Sequence, residues 1–121
     1  MEPAAPLGVV LVADGEKSVR TLARVALESA GWRVVEAASG DEATQLALTH
    51  RPRVAVLDAG IDGFDVAAAL AAELATRDTI VVFVSASREA KARADQLDAP
   101  FLQKPFNPVA LVDAVGQATQ R

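Results

Sequence analysis

The sequence has 121 residues, of which 51% are hydrophobic, a net charge of −4 and no cysteine. Such a chain can form one domain with a buried core, and its hydrophobicity excludes a disordered protein. The acidic balance argues against a nucleic-acid-binding surface, and the lack of cysteine excludes disulfides and thiolate metal sites. No apolar run approaches the roughly 18 residues of a membrane span, and the start does not resemble a signal peptide. We therefore expect a cytoplasmic protein with no membrane or nucleic-acid partner.

Five segments are predicted to form β-strands, and they are of two kinds. Three are apolar throughout, which is typical of strands buried on both faces of a sheet: 7–13, 53–58 and 79–84. The other two mix polar and apolar residues, as edge strands do: 32–37 and 99–103.

A helix is predicted after each strand. The first, 17–30, has an apolar stripe at helical spacing: Val19, Leu22, Ala23, Ala26 and Ala30. Ser39 and Glu42 have the spacing of a capping box, which predicts a second helix to about residue 50.

The remaining helices are predicted from composition and caps. Residues 64–76 are rich in alanine, and Val66, Leu70 and Leu74 recur every four residues. Residues 88–97 form a short, highly charged helix. Asn107 and Pro108 are typical of the N-cap and first position of the last helix.

This order of elements predicts a doubly wound (βα)5 fold of the α/β class (flavodoxin-like). The apolar strands belong inside a parallel sheet and the mixed ones at its edges, which gives strand order 2-1-3-4-5. We expect a single domain over residues 1–121, with its core at about 7–119 and a flexible start at 1–6.

Polar side chains follow four of the predicted strands: Asp14, Asp58, Ser85 and Lys104. The carboxyl ends of parallel strands meet at one edge, and ligands bind there at the topological switch point. Each residue has a simpler explanation, because aspartates form turns, serines cap helices and lysines are often solvated. Four such residues at four strand ends nevertheless favour a real site.

The chemistry of these four residues suits phosphoryl transfer. Two nearby carboxylates repel each other, and a Mg²⁺ ion held by one or two of them relieves that repulsion. Lys104 and the Ser85 hydroxyl can bind phosphoryl oxygens, and Asp58, on a central strand, can act as the nucleophile.

The sequence resembles the receiver domain of two-component response regulators, from residue 7 to about 119. Four segments carry the resemblance: VLVADGEKSVR ending at Arg20, VAVLD ending at Asp58, VFVSA around Ser85, and FLQKPF around Lys104. The resemblance implies that Asp58 accepts the phosphoryl group, with Ser85 and Lys104 contacting it. It implies Mg²⁺ ligands at Asp14, Asp58 and the Gly60 carbonyl, switch residues at Ser85 and Phe101, and a cis peptide bond between Lys104 and Pro105.

The sequence departs from that family at two places near the site. Gly15 stands where the family usually has a second acidic residue, normally a direct metal ligand, so we expect only weak Mg²⁺ binding. The loop after Asp58 is about three residues shorter than usual and lacks a proline. The stretch between Ser85 and Lys104 is also about three residues short.

Three functions are therefore compatible with the sequence. The first is a phosphoacceptor receiver, not an enzyme, that is phosphorylated on Asp58 by a histidine kinase or phosphotransfer protein. The second is a degenerate receiver that binds partners without phosphorylation, which Gly15 and the short loop favour. The third, an unrelated hydrolase or phosphatase, lacks the usual second carboxylate because Gly60 stands at its position.

The sequence shows no effector domain before its end at residue 121. The expected output of a receiver is then protein–protein contact through the face of the fourth helix, fifth strand and fifth helix, with a homodimer also allowed. The alternative is that the chain is a fragment of a longer protein.

Overall fold

The computed structural model describes residues 7–120, so the expected flexibility of residues 1–6 lies outside the described range. In chain order its strands are β1 (Val9–Ala13), β2 (Arg33–Ala37), β3 (Val54–Asp58), β4 (Ile80–Ser85) and β5 (Phe101–Gln103). Its α-helices are α1 (Lys17–Ser29), α2 (Gly40–His50), α3 (Gly63–Ala72), α4 (Arg88–Gln96) and α5 (Pro108–Ala118). A short 3₁₀ turn, Ala59–Ile61, separates β3 from α3.

The strands form one parallel sheet of order β2-β1-β3-β4-β5, which confirms the predicted topology. The apolar strands β1, β3 and β4 lie inside, while the polar-mixed β2 and β5 lie at the edges. Side chains alternate between the faces: Val10 and Val12 pack towards α1 and α5, whereas Leu11 and Ala13 pack towards α2, α3 and α4. Both faces of the sheet are therefore covered, as continuous apolar strands require.

The predicted caps of α2 and α5 are confirmed. The Ser39 hydroxyl accepts a hydrogen bond from the Glu42 amide, and the Glu42 carboxylate accepts one from the Ala38 amide. The Asn107 side chain accepts a hydrogen bond from the Ala110 amide, and Pro108 begins α5.

The predicted end of the third helix was wrong. Helix α3 ends at Ala72 instead of residue 76, and Leu74, which we placed in its apolar stripe, is 75% exposed. The hydroxyl of buried Thr76 donates a hydrogen bond to the Leu70 carbonyl over 2.8 Å, and the backbone at Glu73 is extended. The Thr76 hydroxyl thus satisfies a carbonyl of the last turn, which lets the chain leave the helix early.

Two smaller predictions also need correction. Strand β1 begins at Val9, not at residue 7, because Gly8 adopts a φ of +139° that breaks the extended run. In α1 the buried residues are Ala23 and Leu27, whereas Leu22, which we assigned to the apolar stripe, is 38% exposed.

Candidate functional site

The register of the sheet places Asp14 and Asp58 side by side. Ala13 pairs with Leu57 across β1 and β3, and each aspartate is the next residue in its chain. The connections that follow β1 and β3 leave the sheet in opposite directions, so the carboxyl ends of these two strands flank the topological switch point. The two carboxylates therefore share one edge of the sheet.

Lys104 connects the two carboxylates. Its Nζ lies 2.6 Å from Asp14 Oδ2 and 3.5 Å from Asp58 Oδ2. Backbone pairing brings it there, because Ser85 pairs with Gln103 and the Lys104 amide donates to the Ser85 carbonyl over 3.0 Å. The peptide bond from Lys104 to Pro105 is cis, as predicted.

The pKa of Lys104 is raised by this environment. Burial, the largest single effect, lowers the pKa, but the hydrogen bond with Asp14 and the attraction of Asp14, Asp58 and Glu16 together outweigh it. Lys104 is therefore a cation at neutral pH, and its charge offsets the repulsion between the two carboxylates.

Asp14 is buried, and its carboxylate is oriented by hydrogen bonding. Its side chain is only 4% exposed, and its Oδ1 accepts a hydrogen bond from the Glu16 amide over 2.9 Å. The Arg20 guanidinium donates to the Asp14 carbonyl over 2.8 Å and also lies 3.5 Å from the Glu36 carboxylate. Sequence patterns assign no role to Arg20, which lies in the first turn of α1 and reaches back to the sheet edge.

Asp58 is more accessible than Asp14, with a side chain that is 14% exposed. Its Oδ1 accepts a hydrogen bond from the Gly60 amide over 3.1 Å, so the short loop after β3 fixes the carboxylate. One oxygen is thus bonded to the loop while the other faces Lys104. A partly exposed, oriented carboxylate beside a fixed cation has the arrangement of a nucleophile.

Two glycines allow the short loop to pack this closely. A Cβ added at Gly63 would lie 2.6 Å from the Asp58 carbonyl oxygen, and one added at Gly40 would lie 2.9 Å from the Ile61 carbonyl oxygen. Both distances are shorter than real Cβ contacts. The shortened loop therefore depends on missing side chains at the starts of α2 and α3.

Ser85 and Phe101, the predicted switch residues, lie on the neighbouring strands. Ser85 is 8% exposed, and its hydroxyl oxygen accepts a hydrogen bond from the Ser87 amide over 3.0 Å. Phe101 is half-buried, and the Lys91 ammonium lies 5.9 Å from the centre of its ring. Ser85 contacts Lys104 through the backbone hydrogen bond described above, and no side-chain hydrogen bond or ion pair in the described range joins Ser85 or Phe101 to Asp14, Lys104 or Asp58.

Two acidic side chains at this edge, those of Asp14 and Asp58, could hold a metal ion. Within residues 7–120, no group of three or more histidine, cysteine, aspartate or glutamate side chains is arranged to hold a metal ion. Gly15 supplies no carboxylate, and its missing Cβ would face Ile61 at 3.4 Å. Mg²⁺ is commonly bound by one or two carboxylates together with water and phosphate oxygens, so Asp14 and Asp58 still fit it.

The helices of the described range include none that is long and apolar enough to cross a membrane. The cytoplasmic location stays a prediction.

Comparison with known proteins agrees with this architecture. The chain is 31% identical over 117 residues to the transcriptional regulatory protein PdtaR of Mycobacterium tuberculosis, covering 93% of this chain and 57% of PdtaR. It is 31% identical over 103 residues to the alkaline phosphatase synthesis transcriptional regulatory protein PhoP of Bacillus subtilis, covering 82% and 43%. The chain thus spans about half the length of the curated relatives it matches.

Among solved structures, the chemotaxis response regulator CheY4 of Vibrio cholerae superposes with a TM-score of 0.84 at 26% identity, covering 95% of this chain and 99% of CheY4. Receiver domains of response regulators are signalling modules that are phosphorylated on an aspartate and generally bind Mg²⁺ at that site. They interact with histidine kinases and output domains. Residues 10–116 match the family model of the response regulator receiver domain, and this chain belongs to that family.

Proposed function

We propose that this domain accepts a phosphoryl group on Asp58. The observation that carries the proposal is the unequal environment of the two carboxylates. Asp14 is buried and bonded to Lys104 over 2.6 Å, whereas Asp58 is more exposed and lies 3.5 Å from the same ammonium group. The carboxylate that is both accessible and less tightly paired is the better nucleophile.

The chemistry follows from the groups around Asp58. Its carboxylate oxygen attacks the phosphorus of the donor, the bond from phosphorus to the leaving group breaks, and the electron pair departs with that group. Lys104 neutralises charge on the phosphoryl oxygens. The Ser85 hydroxyl oxygen already accepts a hydrogen bond from the Ser87 amide, so its own proton is available to a phosphoryl oxygen.

Asp14, Asp58 and the Gly60 carbonyl are the proposed ligands of Mg²⁺. The metal would supply positive charge that neutralises the phosphoryl oxygens. Because Gly15 contributes no carboxylate, we expect weak binding. Protein groups, above all the Lys104 ammonium, then neutralise more of the charge on the phosphoryl oxygens than they would if a third acidic side chain held the metal.

The domain itself assists phosphoryl transfer to Asp58 and later hydrolysis, but it is a phosphoacceptor and not a dedicated enzyme. A histidine kinase or phosphotransfer protein is the proposed donor. We propose that the signal passes through Ser85 and Phe101 to an output protein bound at α4, β5 and α5. Two copies of the domain can use the same face to form a homodimer.

A degenerate receiver is the second candidate, and Gly15 is the sequence feature that allows it. Gly15 removes the usual third carboxylate, and the Lys104 ammonium already compensates Asp14 and Asp58. In that case the domain would bind its partners without being phosphorylated on Asp58.

Incubation with acetyl phosphate and Mg²⁺, followed by intact mass measurement, separates the two candidates. The phosphoacceptor proposal expects the wild type to gain the mass of one phosphoryl group, and the Asp58→Asn variant to gain nothing. Chelation of the metal should slow the gain. A folded wild-type protein that gains no mass at any donor concentration would support the degenerate receiver instead.

A further inference from the structure

Asp14 is fixed through its backbone as well as through its carboxylate. Its amide donates a hydrogen bond to the Ala37 carbonyl of β2 over 3.0 Å, and its carbonyl accepts one from the Arg20 guanidinium over 2.8 Å. The next residue, Gly15, brings no side chain that could fix the turn from within. Within residues 7–120, Arg20 and Asp14 itself are the only residues whose side chains hydrogen-bond to the backbone of the turn 14–16.

A carboxylate on the edge strand β2 holds the Arg20 guanidinium in place. Arg20 Nε lies 3.5 Å from Glu36 Oε1, and the Arg20 side chain is only 16% exposed. Glu36 pairs in the sheet with Val12, whose side chain packs towards α1, so its carboxylate lies beside that helix. The other Glu36 oxygen lies 3.1 Å from Arg24 Nε, one helical turn further along α1. The Arg20 fork therefore has a fixed partner on each side, Glu36 and the Asp14 carbonyl.

The charge of Arg20 and its hydrogen bond to Asp14 have opposite consequences for a cation bound at Asp14. As a positive charge, Arg20 repels the cation. As a hydrogen-bond donor, it holds the backbone from which the Asp14 carboxylate projects. Its loss would strengthen cation binding if only the charge mattered, and would weaken it if the orientation of Asp14 mattered more. The sign of the effect therefore separates the two roles.

We propose that Arg20, held by Glu36, is a positioning residue that orients Asp14 for binding Mg²⁺. The proposal rests on Asp14 as a metal ligand of the proposed phosphorylation site. Arg20 acts through the Asp14 carbonyl and not by contact with the phosphoryl group. Replacing a residue that orients a metal ligand commonly lowers metal affinity by about 10- to 100-fold. We expect a smaller effect here, because Arg20 bonds to the backbone of Asp14 and not to its carboxylate.

The test compares the Mg²⁺ affinities of the wild type, Arg20→Gln, Arg20→Lys and Arg24→Gln, measured by NMR from the shifts of backbone amides near Asp14. We expect Arg20→Gln to weaken binding about fivefold, although it removes a positive charge. Arg20→Lys keeps the charge but lacks the fork that reaches two partners, so it should recover only part of the loss. Arg24→Gln is the matched control: it removes one positive charge from the same helix and from the same Glu36, but Arg24 does not bond to Asp14. Its affinity should equal or slightly exceed that of the wild type.

A second readout needs no metal. The Glu16 amide donates its hydrogen to Asp14 Oδ1 in the metal-free protein. We expect this amide to exchange with solvent about threefold faster in Arg20→Gln than in the wild type, and at the wild-type rate in Arg24→Gln. Amides of β3 serve as the reference, because a general loss of stability would speed their exchange as well. If Arg20→Gln does not fold, Arg20→Lys carries the test, and a wild-type Mg²⁺ affinity of that variant would overturn the inference.

The outcomes separate this inference from the proposed function. The inference is wrong if Arg20→Gln binds Mg²⁺ as tightly as the wild type or more tightly. Equal weakening by Arg24→Gln would also contradict it, because Arg24 does not bond to Asp14. If Mg²⁺ shifts no amide near Asp14 in the wild type, the inference fails, while mass gain on Asp58 still decides the phosphoacceptor proposal. If Asp58 gains no phosphoryl group but Arg20→Gln weakens Mg²⁺ binding, the proposed function fails and the role of Arg20 stands.

Discussion

Lys104 Nζ lies 2.6 Å from Asp14 Oδ2, and this ion pair is largely shielded from solvent, with side chains that are 17% and 4% exposed. The same ammonium group reaches Asp58 over 3.5 Å. One cation therefore compensates two carboxylates, which lie at the carboxyl ends of the neighbouring strands β1 and β3. We expect the stability of the metal-free domain to depend on this compensation.

Replacing Lys104 with Met should therefore destabilise the metal-free protein by about 2 kcal/mol, because two poorly solvated carboxylates lose their counterion. The double variant Lys104→Met/Asp14→Asn should recover much of that loss, since it removes one of the two charges. Urea unfolding of the three proteins measures both effects. A Lys104→Met variant as stable as the wild type would show that the carboxylates do not depend on Lys104.

The same lysine should affect how the free energy of unfolding depends on pH. The pKa of Lys104 is raised in the folded state above its ordinary value of 10.5. The unfolded chain loses the proton first as pH rises, so the contribution is complete below about pH 10.5 and is lost as pH passes through the higher folded pKa. The wild type should therefore keep its stability advantage over Lys104→Met up to about pH 10.5 and lose it only at higher pH. An advantage that vanished already near neutral pH would contradict the assignment.

Restoring an acidic residue at position 15 should strengthen metal binding. A Cβ at Gly15 would meet only Ile61 Cγ2, at 3.4 Å, so a side chain fits there. We expect Gly15→Asp to bind Mg²⁺ about tenfold more tightly than the wild type, because a third carboxylate adds attraction to the cation. Calorimetric titration measures the affinity, and Gly15→Asn provides an uncharged control of similar size. Equal affinities of the Asp and Asn variants would place the metal elsewhere.

Alanine substitutions at Gly63 and Gly116 compare a crowded glycine beside Asp58 with one that has open space around it. Gly63→Ala would push a Cβ to 2.6 Å from the Asp58 carbonyl oxygen, and we expect it to destabilise the domain by about 1–3 kcal/mol. Gly116 lies in α5, and a Cβ there would meet nothing within 4 Å. Gly116→Ala should instead stabilise the domain by about 0.5–1 kcal/mol. Thermal unfolding compares the two, and similar shifts for both would show that the loop can relax.

Much of this architecture could be predicted from local sequence patterns. Three wholly apolar strands and two mixed ones determine which strands lie inside a parallel sheet, and strand order 2-1-3-4-5 follows. The strand-end positions of Asp14, Asp58, Ser85 and Lys104 follow from the same strands. The structure brings three of them into contact through the ammonium group of Lys104, whereas their chemical roles stay predictions.

The features that sequence patterns missed depend on side-chain contacts that neither composition nor periodicity reveals. The alanine-rich stretch has high helix propensity throughout, so it does not reveal that Thr76 bonds the Leu70 carbonyl and that α3 ends at Ala72. The stacking of Arg93 on Phe64 joins two helices that are far apart in sequence. Each of these residues is of a type that is common at its position in the sequence. Only the three-dimensional packing distinguishes it from a neighbour that is exposed to solvent.

The central claim, that Asp58 is the phosphoacceptor, is tested most directly by locating the phosphoryl group in the chain. After reaction with acetyl phosphate and Mg²⁺, reduction with borohydride marks the phosphorylated aspartate, and fragment mass analysis identifies it. We predict modification at Asp58 alone, with Asp14 and Asp62 unmodified. Modification at Asp14 or Asp62, or none in a folded protein, would contradict the assignment of Asp58 as the nucleophile of this site.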